Sequence, residues 1–295
     1  MIIDPNHMIT SLLPQYGFND LKKLVMETDE EIYSLRQELK RIRSKVGPPV
    51  ISDFLRDSLI INSDLLISST QLKPRHLNSM NILFRTFLEI KIDFLWLYSH
   101  YLEDEKIGEI LAKRYYQIGR NRFLEQSHIF KNIAQNDPYL KDIKDLYDID
   151  DDISTAKSEQ FIELVDKTEE DKGVKSLQRR DWYLVPGKYR KTIDFKERAK
   201  VATKLASKLF NLKNAPYYEN WKILNQFTHP SAMQYKVIDD DVLAGRIHCR
   251  NLHVFLCFLH DMINVLCDYM KMPPNLKIRE IRTSFNYVNI SVKQI

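Results

Sequence analysis

Apolar residues recur every three or four positions along most of the chain, which is the period of an amphipathic helix. Alternating β-branched residues, the mark of strands, are scarce, and the 295 residues include only 7 glycines. The pattern predicts an all-α fold, with helices at about 20–46, 51–70, 74–102, 104–134, 157–170, 195–211, 216–228 and 246–271.

The last of these helices is apolar on nearly every side, as helices packed in the centre of a domain are. We therefore expect a multi-helix bundle built around it. We place the main domain at 48–272, with an acidic connector at 136–155 and a long loop at 173–194. The sequence further predicts an N-terminal helical extension at 1–47, a loop at 231–245 and a C-terminal tail at 273–295.

The first predicted helix carries a heptad stripe, formed by Leu21, Val25, Thr28, Ile32, Leu35, Leu39, Ile42 and Val46. β-Branched residues dominate one of its two apolar positions, which favours two-stranded parallel pairing. In such a homodimer Glu31 would face Arg36 of the partner subunit. The same spacing also suits packing on the chain's own bundle, so a homodimer through residues 20–46 and a purely internal stripe both stay open.

Composition is ordinary for a globular protein, with 44% hydrophobic and 28% charged residues. The net charge of +4 is too small to argue for nucleic-acid binding by itself. Three cysteines without a paired spacing predict no disulfide framework. The chain shows neither a secretory signal pattern nor about 20 uninterrupted apolar residues, so we expect a cytoplasmic protein without a membrane span.

A polar stripe interrupts the apolar helix predicted at 74–102. Arg85, Glu89 and Asp93 lie four residues apart and so share one face. Arg85 and Glu89 are spaced as an ion pair, which leaves Asp93 for His229, with Asn225 one turn before that histidine. These residues are predicted to form a buried polar network, which is either a structural link between helices or part of a functional site.

Other motifs are weak. The acidic residues and histidines lack the spacing of a metal site, and no cofactor motif occurs, so neither a metal nor a cofactor is expected. The loop at 173–194 mixes basic and aromatic residues, which makes candidate nucleic-acid contacts of Arg179, Arg180, Trp182, Lys188 and Arg190. The alternative is that this loop packs on its own domain.

Two segments, "FRTFLEIKIDFLWLY" at 84–98 and "LNQFTHPSA" at 224–232, resemble an all-helical bacterial family of unknown function. The resemblance covers roughly residues 50–270. It implies a helical fold in which these two segments lie together, and it implies no particular activity.

The chain is also similar, more weakly, to HEPN-type helical ribonucleases, in which an arginine precedes a histidine by several residues. Arg122 and His128 have this spacing, as do Arg246 and His253 near the start of the last helix. The similarity implies a metal-independent ribonuclease of the defence or toxin type that acts on RNA, with Arg246 stabilising charge and His253, or else His229, as the base. The alternative is a non-catalytic, dimeric protein-interaction module.

Overall fold

A computed structural model describes residues 18–46, 50–73, 76–116, 185, 194–210, 217–226 and 241–271 of the chain. Its helices are α1 Phe18–Val46, α2 Val50–Gln71, α3 Leu77–Glu103, α4 105–116, α5 Phe195–Phe210, α6 Tyr217–Gln226 and α7 Asp241–Tyr269. Within these ranges the regular structure is helical and contains no strand, which confirms the predicted all-α class.

Most helix ends fall within a few residues of their predicted positions, but α7 begins five residues before the predicted 246. The assignment of residues 241–245 to a loop was therefore wrong. The start of this helix contains Gly245, and glycine disfavours helix interiors. Ala244, in the first turn of this helix, is fully buried, so packing offsets the cost of the glycine.

Several predicted segments lie outside the described residues. They are the helix predicted at 104–134 beyond residue 116, the helix at 157–170, the connector at 136–155, most of the loop at 173–194, the loop at 231–240 and the tail at 273–295. The described helices belong to two compact units that divide within α3. The first unit consists of the residues up to Ser99 and those from Lys196 onward, and the second unit consists of His100–Phe195. This division differs from the predicted one, because α1 belongs to the first unit and is not a separate extension.

The heptad stripe of α1 packs within its own chain over the residues whose side chains are described. Both α1 and α7 lie against α2, and they also contact each other. Leu21, Val25, Ile32 and Leu35 are at most 6% exposed, and the Thr28 hydroxyl lies 3.1 Å from His260 Nε2 on α7. The internal packing thus accounts for the spacing over this half of the stripe. A homodimer through residues 20–46 stays a prediction.

Helices α3 and α7 meet through aromatic rings. Phe255 of α7 stacks on Phe84 with 4.6 Å between ring centroids, and meets the edge of Phe87 at 5.0 Å. Residues Ala244–Tyr269 of α7 are long and apolar enough to cross a membrane by composition, but 67% of an apolar 18-residue window within them is buried in the protein. Such burial is typical of a core helix and agrees with the predicted central position.

In the second unit, the corner between α3 and α4 depends on close backbone approach. The Asp104 carboxylate caps α4 by accepting a hydrogen bond of 2.9 Å from the Lys106 amide. One turn later Gly108 lies directly on Tyr101, where an added Cβ would stand 2.6 Å from the Tyr101 Cβ and 2.8 Å from its Cα. Because a backbone atom is involved, rotation of a side chain cannot relieve this contact.

Replacing Gly108 with Ala should therefore destabilise the protein, although the same change in an open helix stabilises by about 1 kcal/mol. We expect overpacking to lower the free energy of unfolding by about 1–3 kcal/mol, measured by chemical denaturation. Lys113→Ala, at an exposed position of the same helix, is the control and should have little effect. A Gly108→Ala protein as stable as wild type would contradict the close approach at this corner.

Candidate functional site

The polar stripe of α3 faces outward more than its sequence predicted. Arg85 Nε donates to Glu89 Oε1 over 3.0 Å, so the expected pair forms. The two side chains remain 32% and 37% exposed, however, and the prediction that they are buried was wrong. An ion pair so exposed contributes at most about 1 kcal/mol to stability, because water screens it.

Glu89 also connects α3 to α6. Its Oε1 accepts a second hydrogen bond, of 2.7 Å, from the indole Nε1 of Trp221. The Arg85 guanidinium lies 5.5 Å from the centroid of the Trp221 ring, within range of a cation–π contact. Glu89 therefore holds the half-buried Trp221 at the edge of its ring, and Arg85 contacts a face of the ring. Asn225, also predicted for this network, lies half-buried one turn further along α6.

Asp93 has Arg198 of α5 as a partner, at 2.9 Å from Arg198 Nε to Asp93 Oδ1. This pair is the better shielded one, with side chains 18% and 9% exposed. His229, the partner expected from the sequence, lies outside the described residues. The signal that was missed is the position of Arg198 in the otherwise apolar row of α5, formed with Ala202, Leu205 and Ala206.

A different ion pair, Lys91 with Asp261, lies in the core, with side chains 0% and 11% exposed. Lys91 Nζ lies 2.7 Å from Asp261 Oδ2 and is 0% exposed. The ammonium also lies 3.9 Å from the ring centroid of Phe258 and 5.1 Å from that of Tyr217. Burial lowers the pKa of Lys91, and the adjacent Asp261 carboxylate opposes that effect. With no exposed surface, Lys91 links α3 to α7 and is out of reach of a ligand in solution.

Helical periodicity did not predict this pair, because it does not distinguish Lys91 from its charged neighbours. The relevant signal is that Lys91 lies four residues after Phe87 and four before Leu95, both of which are buried. Asp261 follows His260 on α7, and both residues are buried. Among the described residues, no group of three potential metal-binding side chains comes together.

The predicted catalytic residues of α7 have opposite environments. Arg246 is exposed, whereas His253, two turns later, is only 7% exposed. Burial lowers the pKa of His253 to about 4, so the imidazole is neutral at pH 7 and a weak proton acceptor. A base for RNA cleavage needs access to the ribose and a pKa nearer neutrality. Neither property holds for His253 here.

The other sequence-nominated residues, Arg122, His128, Arg179, Arg180, Trp182, Lys188, Arg190 and His229, lie outside the described part of the chain. No protein-family model, curated protein or solved structure matches this sequence.

The Lys91–Asp261 pair generates a stability prediction. Asp261→Ala leaves a buried ammonium without its counter-ion, and we expect it to lower the free energy of unfolding by about 3–5 kcal/mol. Replacing both residues, as Lys91→Met with Asp261→Leu, should recover most of that loss, since the uncompensated charge is gone. Urea denaturation of both variants and of the exposed control Asp64→Ala measures the difference. If Asp261→Ala cost no more than Asp64→Ala, the pair would not be buried as described.

The buried histidines of α7 generate a pH prediction. His248 is 0% exposed beside Phe18 and Phe84, and burial lowers its pKa to about 4. Because the unfolded chain binds this proton near pH 6.5, the stability due to neutral His248 is complete above that pH and is lost as pH falls towards 4.

His248→Gln should therefore flatten the decline of stability across this window, by about 1.4 kcal/mol per pH unit. Free energies of unfolding at several pH values give the slope. The control is His76→Gln, at an exposed histidine, which should keep the wild-type slope. Equal slopes in all three proteins would contradict the prediction, because they would mean that His248 binds its proton as well in the folded state as in the unfolded state.

Proposed function

We propose that the chain is a non-catalytic helical interaction module in which ion pairs position the helices that carry its binding surface. The observation that supports this function best is that the polar stripe of α3 contacts two neighbouring helices. Asp93 binds Arg198 of α5, and Glu89 binds Trp221 of α6, so both carboxylates of the predicted polar network hold neighbouring helices. Carboxylates that hold helices in position have a structural role, and this role does not require catalysis.

The environment of His253 supports the same conclusion. A neutral, buried imidazole with a pKa of about 4 packs as part of the core. Arg246 is exposed on α7, so its guanidinium can contact water or an anionic partner. The ribonuclease implied by the sequence would need both groups to reach one phosphate in solution. The buried His253 does not meet this requirement.

The deciding experiment incubates purified wild type, Arg246→Ala and His253→Ala with end-labelled single-stranded and hairpin RNA at pH 7. We expect no cleavage by any of the three proteins. We also expect thermal melting to show a lower Tm for His253→Ala alone, because only that change leaves a cavity in the core.

Cleavage by wild type that disappears in Arg246→Ala, with the melting curve unchanged, would overturn the proposal. It would establish the ribonuclease instead. Arg246 is exposed, so this comparison does not depend on the folding of the His253 variant.

A further inference from the structure

Helix α5 carries a row of lysines along its outer side. Lys196, Lys200, Lys204 and Lys208 follow one another at four-residue intervals, and all four are exposed. We call this row the lysine ladder. Residues four apart form one continuous ridge on a helix, about 6 Å apart along its axis. The ladder therefore presents four positive charges over about 18 Å.

Little on α5 neutralises these charges. Glu197 is its one acidic residue, and the remaining cation, Arg198, is paired with Asp93. The apolar side of the helix, which includes Ala199, Ala202 and Leu205, is buried in the protein. Because that side is occupied, α5 does not have the free apolar face with which an amphipathic helix enters a bilayer.

The ladder leads to two aromatic rings on α6. Tyr218 and Trp221 stack with 6.0 Å between centroids and an angle of 14° between planes, and we call them the aromatic pair. Lys196, the first residue of the ladder, lies 5.9 Å from the Tyr218 ring, and Lys222 lies 4.8 Å from it. Both rings are half-buried, and the hydrogen bond from Trp221 to Glu89 holds the aromatic pair in place.

We propose that the lysine ladder and the aromatic pair together bind single-stranded nucleic acid. Phosphates would lie along the ladder, and a base would stack at the aromatic pair. Lysines on flexible stems can leave the Tyr218 ring when a base arrives and then contact its phosphate. This inference rests on the proposed interaction function, for which it names the partner.

The combination of groups favours a single strand over other anions. An acidic peptide would satisfy the lysines but would leave the rings without a flat partner. A duplex offers phosphates while keeping its bases stacked on each other. Unpaired bases provide the exposed π-faces that an aromatic pair recognises without regard to sequence.

The test measures binding of fluorescein-labelled oligouridine and of a duplex of equal length by anisotropy, over a range of salt concentrations. One variant replaces all four ladder lysines with Gln, and a matched control replaces Lys23, Lys73, Lys106 and Lys113, which are also exposed. Both variants take the net charge from +4 to 0, so they differ only in where the charge is removed. Circular dichroism melting confirms that each is folded.

We expect wild type to prefer the single strand. The ladder variant should bind it at least tenfold more weakly and lose about 0.7 from the log–log salt slope for each phosphate contact removed, while the control stays within about twofold. Tyr218→Leu should weaken single-strand binding about tenfold and leave duplex binding unchanged, because it removes stacking alone.

Equal losses in the ladder and control variants would overturn the proposal, as would no binding at low salt. So would competition by polyglutamate as effective as that by oligouridine, since the surface would then recognise charge alone. Cleavage of the oligonucleotide would instead overturn the non-catalytic function and leave the binding surface standing. Tight binding without cleavage supports both.

Discussion

The buried contact between Lys91 and Asp261 constrains the rest of the first unit. An ammonium with no exposed surface must meet its carboxylate, so only one rotation and one register of α3 against α7 are allowed. The rings of Phe258 and Tyr217 complete its surroundings, which also ties α6 to this level of the core. The pair adds little net stability over apolar residues of the same size, but it excludes alternative packings in which the lysine is unpaired.

Helical geometry carries this constraint to the surface. Glu89 and Asp93 lie two residues before and two after Lys91, so both project from nearly the opposite side of α3. Once Lys91 points towards α7, the two carboxylates must point away from it, where they meet Trp221 and Arg198. A buried charge on one side of the helix thus positions the half-exposed pairs on the other side, and these in turn set how α5 and α6 are presented.

The outer pairs matter more for position than for stability. Arg85 and Glu89 are too exposed to contribute much free energy, whereas the stacking of Phe84 on Phe255 removes apolar surface from water. Because Arg198 turns inward to Asp93, the lysines on either side of it in α5 are directed outward. The same contact therefore closes one face of the helix and leaves the other charged and accessible, which is the arrangement an interaction surface needs.

The sequence by itself determined the helices, because the three-to-four-residue period of apolar positions and the scarcity of glycine are local properties that the backbone follows directly. It also determined that α7 is central and that Arg85 and Glu89 pair, since both follow from spacing within one helix. Tertiary structure alone decided which charge enters the core and which partner each stripe residue meets. Lys91 and Asp261 are 170 residues apart, and Asp93 and Arg198 are 105 apart, so periodicity identifies the face of each residue but not its neighbour. The same reason explains α1, whose heptad stripe suits a second chain as well as its own, until the packing of α2 and α7 against it supplies the nearer apolar surface.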